Sequence, residues 1–316
     1  MNISIVTTAF NEEECIDNFI EEVSQTVSKI TNNYEIILVD NGSVDRTLEI
    51  ILAKAKKNKK IKVVSLSRNF GYQGGIDAGI SHASGEWTII IDTDLQDPPT
   101  LILPMLEKAK NENLEIVYGI RKSREETIFR KIAYWLFYRL WKKIANIPVV
   151  VDAGDFCLIS SKAKNEIVNM PERGRFLRGQ RLWIGFKHGG IKYHRKNREM
   201  GSTKFNIYSS IQLAIDGLFS FSFFPIRLVL VTGIFLFCIL TLIILVFIIG
   251  RILFLIFGSS SIFPVLPDGL TIIQILLAAF FSLNFIFLGV IGEYLARVYE
   301  EVRQRPRYIV NLKKNF

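Results

Sequence analysis

Only three cysteines occur in the 316 residues, Cys15, Cys157 and Cys238, with no CxxC pair and no histidine at metal-ligand spacing. That excludes a disulfide framework and reads as reduced thiols in a cytoplasmic setting. The three histidines, His82, His188 and His194, are scattered without an acidic partner at useful spacing, so they read as solvated or packing side chains. No GxGxxG follows the first apolar run, which excludes a dinucleotide-binding dehydrogenase. The start, MNISIVTTAF, has neither a basic n-region nor a cleavage site, so a signal peptide is not expected. Acidic residues are in deficit, 30 against 39 Lys and Arg, giving a formal charge of +9. Such an excess admits nucleic acid, anionic lipid headgroups or a phosphorylated substrate as partners, and position along the chain has to choose.

What the chain has in abundance is apolar surface. Hydrophobic residues make up 49% of it, with 24 Phe, and the mean hydropathy is +0.27. Disorder is excluded by that composition. Leu228–Gly250 and Leu270–Gly292 are two uncharged runs of 23 residues each. At about 1.5 Å per residue a helix of that length spans roughly 34 Å, enough for a hydrocarbon core of about 30 Å. The expectation is a two-helix transmembrane hairpin occupying 227–296. The link between the runs carries Asp268 and no Lys or Arg, whereas Arg297, Arg303, Arg305, Arg307, Lys313 and Lys314 follow the second run. The positive-inside rule then places both termini in the cytoplasm, with 297–316 as a basic tail and the protein multi-pass in a membrane. Two further stretches read as interfacial: 126–145, where Phe, Trp, Tyr and Leu interleave with Arg and Lys at helical spacing, and the juxtamembrane segment 206–226. Because the basic residues cluster beside these aromatic stretches, nucleic acid is not expected as a partner.

Residues 1–205 read as a cytosolic α/β domain. Ile3–Ala9, Tyr34–Asp40, Lys62–Ser67 and Trp87–Asp92 are strand-like, and helices are expected from Asn11–Glu14 to about Ile30, over Ser43–Lys56 and over Gly74–Ala83. Apolar strands alternating with amphipathic helices predict a mostly parallel sheet covered on both faces. Ligands of such sheets bind beyond the carboxyl ends of the strands. Three of those ends are polar: Asn11-Glu12, Asp40-Asn41 and Asp92-Thr93-Asp94. Two carboxylates one residue apart, Asp92 and Asp94, can share one hard divalent cation whose shell phosphate oxygens complete, and such a cation would neutralise a diphosphate leaving group. Asp40 before Asn-Gly reads as a ligand group more than a turn cap, Asp45 as the cap of the helix that follows, and Arg68-Asn69 as scaffold or ligand group equally.

The ordered strings Ala9-Phe10-Asn11-Glu12-Glu13, Ile37-Leu38-Val39-Asp40-Asn41-Gly42-Ser43, Ser67-Arg68-Asn69-Phe70-Gly71 and Asp92-Thr93-Asp94-Leu95-Gln96-Asp97-Pro98-Pro99 resemble the motifs of family 2 glycosyltransferases. More narrowly, the chain is similar to the polyprenyl-phosphate glycosyltransferases related to dolichol-phosphate mannose synthase, in the two-helix bacterial branch that makes undecaprenyl-phosphate glucose. The likeness continues through Tyr118-Gly119-Ile120-Arg121, Asp155-Phe156-Cys157-Leu158, Arg175-Phe176-Leu177-Arg178-Gly179 and Arg198 to Lys204. It implies a GT-A type nucleotide-sugar domain followed by interfacial helices and the hairpin. It also implies inverting, metal-dependent transfer of a hexose, glucose from UDP-glucose, to undecaprenyl phosphate on the cytoplasmic face.

Carried over by position, the resemblance gives Phe10, Glu12, Asp40, Asn41 and Asp92 to the nucleotide sugar. Asp92, Asp94 and Gln96 go to a Mg2+ or Mn2+ ion, and Asp94 and Asp155 to catalysis. Arg121, Arg130, Arg198 and Lys204 go to lipid phosphate. The partners implied are a nucleoside diphosphate sugar, a polyprenyl phosphate, the bilayer and further copies in a homo-oligomer. Two departures stand out: Asn41 where the family usually has a second Asp, and Ser202-Thr203 where Glu-Ser is commoner. Two other functions compete. A processive polysaccharide synthase wants a Gln-x-x-Arg-Trp string, which Gln180-Arg181-Leu182-Trp183 only approximates. A non-catalytic, membrane-anchored binder of nucleotides or lipid headgroups has no need of both Asp92 and Asp94.

Overall fold

The structure is a computed structural model and describes residues 1–121, 153–195, 224–257 and 269–316. The stretch 126–145, the segment 206–223, and Arg130, Arg198 and Lys204 lie outside the described residues. The chain divides into two compact units, one formed by Met1–Phe221 together with Arg303–Phe316 and the other by Ser222–Val302.

The first unit is built on an eight-stranded sheet of order β7-β5-β6-β4-β1-β2-β3-β8. Its strands are β1 (Ile3–Ala9), β2 (Tyr34–Asp40), β3 (Ile61–Leu66), β4 (Trp87–Ile90), β5 (Ile116–Arg121), β6 (Ala153–Ser160), β7 (His188–Tyr193) and β8 (Val310–Lys314). The pairs β1·β2, β1·β4, β2·β3 and β5·β7 are parallel. β6 runs antiparallel to both β4 and β5, and β8 antiparallel to β3. The GT-A-like fold with a mostly parallel sheet is therefore present.

The sheet forms because its strands alternate two apolar faces. Ile3, Ile5, Ile36, Leu38 and Ile89 point to one core, and Val6, Ile37, Val39, Val64 and Ile90 to the other. Helices α1 (Ile16–Ser28), α2 (Thr47–Lys57) and α4 (Ile102–Asn111) cover the first face; α3 (Gly71–Ser81), α5 (Ser161–Asn169) and α6 (Leu177–Trp183) cover the second. In α1 the buried residues Ile16, Phe19, Ile20, Val23 and Val27 follow the i, i+3, i+4, i+7, i+11 pattern of one helical face. Each such side chain contributes about 1.5–3 kcal/mol on burial.

Several boundaries differ from the expected ones. α1 begins at Ile16 because residues 12–15 form a turn instead, with the Cys15 and Ile16 N–H groups donating to the Glu12 carbonyl. α2 begins at Thr47, where Asp45 Oδ1 accepts from the Thr47 N–H at 3.0 Å. α3 begins at Gly71, three residues before the expected start, because Asn69 Oδ1 accepts from the Gly71 N–H at 2.7 Å and turns the chain early. Close approach accounts for the two glycines that follow: a Cβ at Gly75 would run into the Thr8 hydroxyl of β1.

The carboxyl-terminal residues return to the sheet. β8 closes the β3 edge, Asn315 Nδ2 donates to the carbonyls of Ala55 and Ile61 at 2.7 and 2.8 Å, and the Ser67 N–H donates to the Ile309 carbonyl at 2.9 Å. The Arg307 guanidinium reaches Asp77 on α3 at 3.4 Å and bonds the Met170 carbonyl. The stretch expected as a basic tail is thus helix up to Arg303 and then an edge strand.

Among the described residues the second unit holds two long helices, α7 (Phe224–Phe257) and α8 (Gly269–Arg303). Among the described residues one helical stretch, Ala279–Arg303, is long and apolar enough to cross a membrane, and Ile226–Ile239 is a shorter apolar stretch. Large apolar side chains such as Phe237, Phe285 and Leu288 stand exposed on them.

Candidate active site

The carboxyl ends of β1, β2 and β4 lie side by side, as their parallel register requires. β1 is followed by Phe10, which is half-buried, and by Asn11, whose φ of 52° turns the chain sharply. That turn is fastened to the β2 loop. The Asn11 N–H donates to Ser43 Oγ at 3.1 Å, the Val44 N–H to Asn11 Oδ1 at 2.9 Å, and the Glu12 N–H to Thr47 Oγ1 at 2.8 Å. The Glu12 carboxylate accepts from the Cys15 thiol at 3.0 Å.

At the end of β2 the buried Asp40 accepts from the Ser43 N–H at 3.1 Å and from the Ser65 hydroxyl at 2.9 Å. Its carboxylate thus braces the turn after β2. Asn41 uses both ends of its amide on the neighbouring loop: Nδ2 donates to the Gly71 carbonyl at 2.9 Å, and Oδ1 accepts from the Phe70 N–H at 3.0 Å. An aspartate could make only the second of these bonds. Gly42 has φ +74°, and a Cβ there would collide with the Arg68 backbone, so this turn packs directly against the Ser67–Gly71 loop. Arg68 lies over the Phe70 ring, 4.0 Å from its centroid, and donates to the Asn69 carbonyl.

The acidic loop follows β4. The Tyr72 hydroxyl donates to Asp92 Oδ1 at 2.7 Å, and Asp94 Oδ1 accepts from the Gln96 N–H at 3.2 Å. Asp97 is fully buried. It accepts from the Tyr193 hydroxyl and has Arg195 Nε 3.5 Å from Oδ1 and Arg121 3.8 Å from Oδ2. Arg195 also reaches Asp94, at 3.9 Å. Arg121, expected to hold lipid phosphate, lies 3.8 Å from Asp97 and donates to the Tyr193 hydroxyl at 3.5 Å.

Asp155, on β6, is gripped by Arg178 of α6 through two parallel bonds of 2.9 and 2.6 Å. Burial pushes its carboxyl up, but Arg178, Arg181 and Arg121 outweigh burial and hold it below the usual carboxylate range. A carboxylate so paired is a poor proton acceptor. Asp92 behaves oppositely. Burial and then the nearby charge of Asp97, helped by Asp155 and Asp94, push it up to about 7, while the Tyr72 bond works the other way.

Asp92 is thus buried beside other carboxylates, where a bound cation would favour its ionised form. Asp92, Asp94 and Gln96 offer oxygen donors only, the chemistry of a hard divalent ion. Among the described residues no group of three or more His, Cys, Asp and Glu is placed to complete a ligand set. The donors fit an ion that takes the rest of its shell from water and phosphate.

Of the expected site residues, the structure gathers Phe10, Glu12, Asp40 and Asn41 on two interlocked loops, and Asp92, Asp94 and Gln96 on the third. It also reveals Tyr72, Asp97, Arg178, Tyr193 and Arg195, to which the sequence reading gave no role. Asp97 and Arg178 stand inside motifs already quoted, and Tyr72 directly follows one.

Comparison with known proteins covers this framework. The Glycosyl transferase family 2 profile matches residues 4–167, from β1 through most of α5. An uncharacterized glycosyltransferase, YkcC, of Bacillus subtilis (strain 168) is 37% identical over 314 residues, covering 97% of this chain and 92% of that one. The bactoprenol glucosyl transferase of Shigella phage SfII is 35% identical over 311 residues, covering 98% and 97%. Among solved structures, glucosyl-3-phosphoglycerate synthase from Mycobacterium tuberculosis, in complex with Mn2+, UDP-glucose and phosphoglyceric acid, has a TM-score of 0.49 at 19% identity, covering 69% of this chain and 78% of that one. With its strand-end loops inside the matched region and relatives that align from end to end, the chain belongs to glycosyltransferase family 2.

Proposed function

We propose that the protein transfers glucose from UDP-glucose to a polyprenyl phosphate, undecaprenyl phosphate in the bacterial setting, at the cytoplasmic face of a membrane and with inversion. The observation that carries this reading is the meeting of the acidic Asp92–Asp97 loop with the turns after β1 and β2 at one end of the sheet, where α/β sheets bind nucleotides. The bactoprenol glucosyl transferases supply the acceptor, since they match this chain over almost its whole length.

The acceptor sets modest demands. A phosphate monoester has a second pKa near 6, so its attacking oxygen is largely ionised at pH 7. No strong base is needed, and Asp155, paired with Arg178, is not suited to be one. The catalytic role first read for Asp155 becomes a positioning role: its carboxylate fixes the Arg178 fork, which is 30% exposed and can meet phosphate charge. Phe10, Glu12, Asp40 and Asn41 shape the nucleotide pocket, with Asp40 and Asn41 acting through the turns that they brace. Asp92, Asp94 and Gln96 would hold Mg2+ or Mn2+, which supplies charge neutralisation at the departing diphosphate. Arg195, between Asp94 and Asp97, is placed to follow phosphate charge into the same space. Arg130, Arg198 and Lys204 keep the role of meeting the lipid phosphate, and positioning with electrostatics supplies the rate.

We further assign the spans 228–250 and 270–292 to a membrane hairpin with both termini cytoplasmic. The basic residues after the second span and the exposed apolar side chains of α7 and α8 support it. A processive synthase is less favoured, because Gln180 and Arg181, from the string such an enzyme would need, are buried, with Arg181 bonded to the Gly154 carbonyl at 2.7 Å.

The test is UDP release from UDP-glucose by the purified protein with and without undecaprenyl phosphate. Release should require the lipid and a divalent cation, and Asp94→Asn should lower it by at least about a thousandfold, on the order of 4 kcal/mol of barrier, while remaining folded. Lipid-independent release, or full activity of Asp94→Asn, would refute the reading.

A further inference from the structure

Tyr72 opens α3, directly after the Ser67–Gly71 loop. Its hydroxyl crosses to the acidic loop and donates to Asp92 Oδ1 at 2.7 Å. The next residue, Gln73, reaches elsewhere: its Oε1 accepts from the Leu177 N–H at 3.0 Å. Leu177 precedes Arg178, which forks onto Asp155. Two successive side chains at the start of one helix therefore bond the first carboxylate of the acidic loop and the backbone of the residue before the arginine partner of Asp155.

That helix start is itself fixed. Asn41 bonds both the Phe70 N–H and the Gly71 carbonyl, and Asn69 bonds the Gly71 N–H. Tyr72 is thus presented by a braced turn and has little freedom to wander. A phenol has one proton to donate, and this one goes to Asp92.

A carboxylate at the start of a loop can rotate, and a cation needs one of its oxygens at a set place. We propose that Tyr72 is a positioning residue for the transfer: by holding Asp92 Oδ1 it fixes the carboxylate plane and turns Oδ2 toward the cation and diphosphate. This rests on the assignment of Asp92 as a cation ligand. The competing role is packing alone, which phenylalanine would fulfil equally well.

The experiment uses the full-length protein in detergent, with Mn2+ and UDP as probes. Free Mn2+ is read by electron paramagnetic resonance for the wild type, Tyr72→Phe and Asp92→Asn, alongside thermal unfolding and steady-state kinetics. Tyr72→Phe should melt within a few degrees of the wild type, bind Mn2+ about tenfold more weakly, and keep its KM for undecaprenyl phosphate within about twofold. Wild-type Mn2+ affinity in Tyr72→Phe, with binding lost in Asp92→Asn, would overturn the positioning role and leave the Asp92 assignment standing. Undiminished Mn2+ binding by Asp92→Asn would overturn that assignment and this inference with it. A Tyr72→Phe protein that no longer folds would make the hydroxyl a structural element and would also overturn the inference.

Discussion

The Asp155–Arg178 pair makes a quantitative prediction. The two groups share bonds of 2.9 and 2.6 Å, and their side chains are 10% and 30% exposed. An exposed ion pair contributes about 0.2–1 kcal/mol. Removing one partner of a fully buried pair costs about 3–5 kcal/mol, because the other charge is left stranded. Arg178 keeps some contact with water, so Arg178→Gln should cost about 2–3 kcal/mol. At roughly 2–4 °C per kcal/mol, Tm should fall by about 4–12 °C. Asp155→Asn strands the guanidinium instead, which solvent reaches more easily, and should cost less. The double variant replaces two charges by two amides that can still bond each other, so most of the loss should return, with a coupling energy near 2 kcal/mol. Thermal unfolding of the four proteins in one detergent measures it. If the double variant loses the sum of the two single losses, the pair is not energetically coupled and the positioning role of Asp155 falls with it.

Other expectations follow from separate parts of the molecule. Glu35 is buried and would be raised by that burial, but Lys62 at 2.5 Å, with Ser4 and Ser84, holds its carboxyl below the usual value. Its contribution is therefore full above about pH 4.3, the unfolded value, and is lost as pH falls through the lower folded value. Glu35→Gln should lower Tm at pH 7 by several degrees and flatten the acid limb of the stability profile; an unchanged acid limb would contradict the pairing. Deleting 305–316 exposes the β3 edge and removes the bonds from Arg307 and Asn315, so the truncated protein should aggregate or melt at least about 5 °C lower, as light scattering and thermal unfolding would record. A cysteine placed at Ser260 should be labelled by an impermeant thiol reagent from outside intact cells, and one placed at Lys110 should not; the reverse pattern would invert the proposed topology.

The central strands were legible because β1, β2, β3 and β4 are largely buried on both faces and therefore read as mostly apolar, β-branched runs. β8 was not, since Val310–Lys314 lies at a sheet edge with most of its side chains in water, and its composition is that of a tail. The acidic loop announced its chemistry through Asp92, Asp94 and Gln96, whose types and spacing are local. Their partners are not local: Tyr72 meets Asp92 across 20 residues, Arg178 meets Asp155 across 23, and Tyr193 meets Asp97 across 96. No periodicity encodes such meetings. The same limit holds for the bonds of Asp40 to Ser43 and Ser65 and for the approach of Arg121 to Asp97, which no local pattern announces.

The most direct test of the proposed transfer is the mass of the lipid product. Purified protein incubated with UDP-glucose, undecaprenyl phosphate and Mn2+ should convert the lipid to a species heavier by a single hexose residue, with one UDP released per lipid consumed. A lipid carrying a growing glucose chain, or UDP release with the lipid unchanged, would contradict the account.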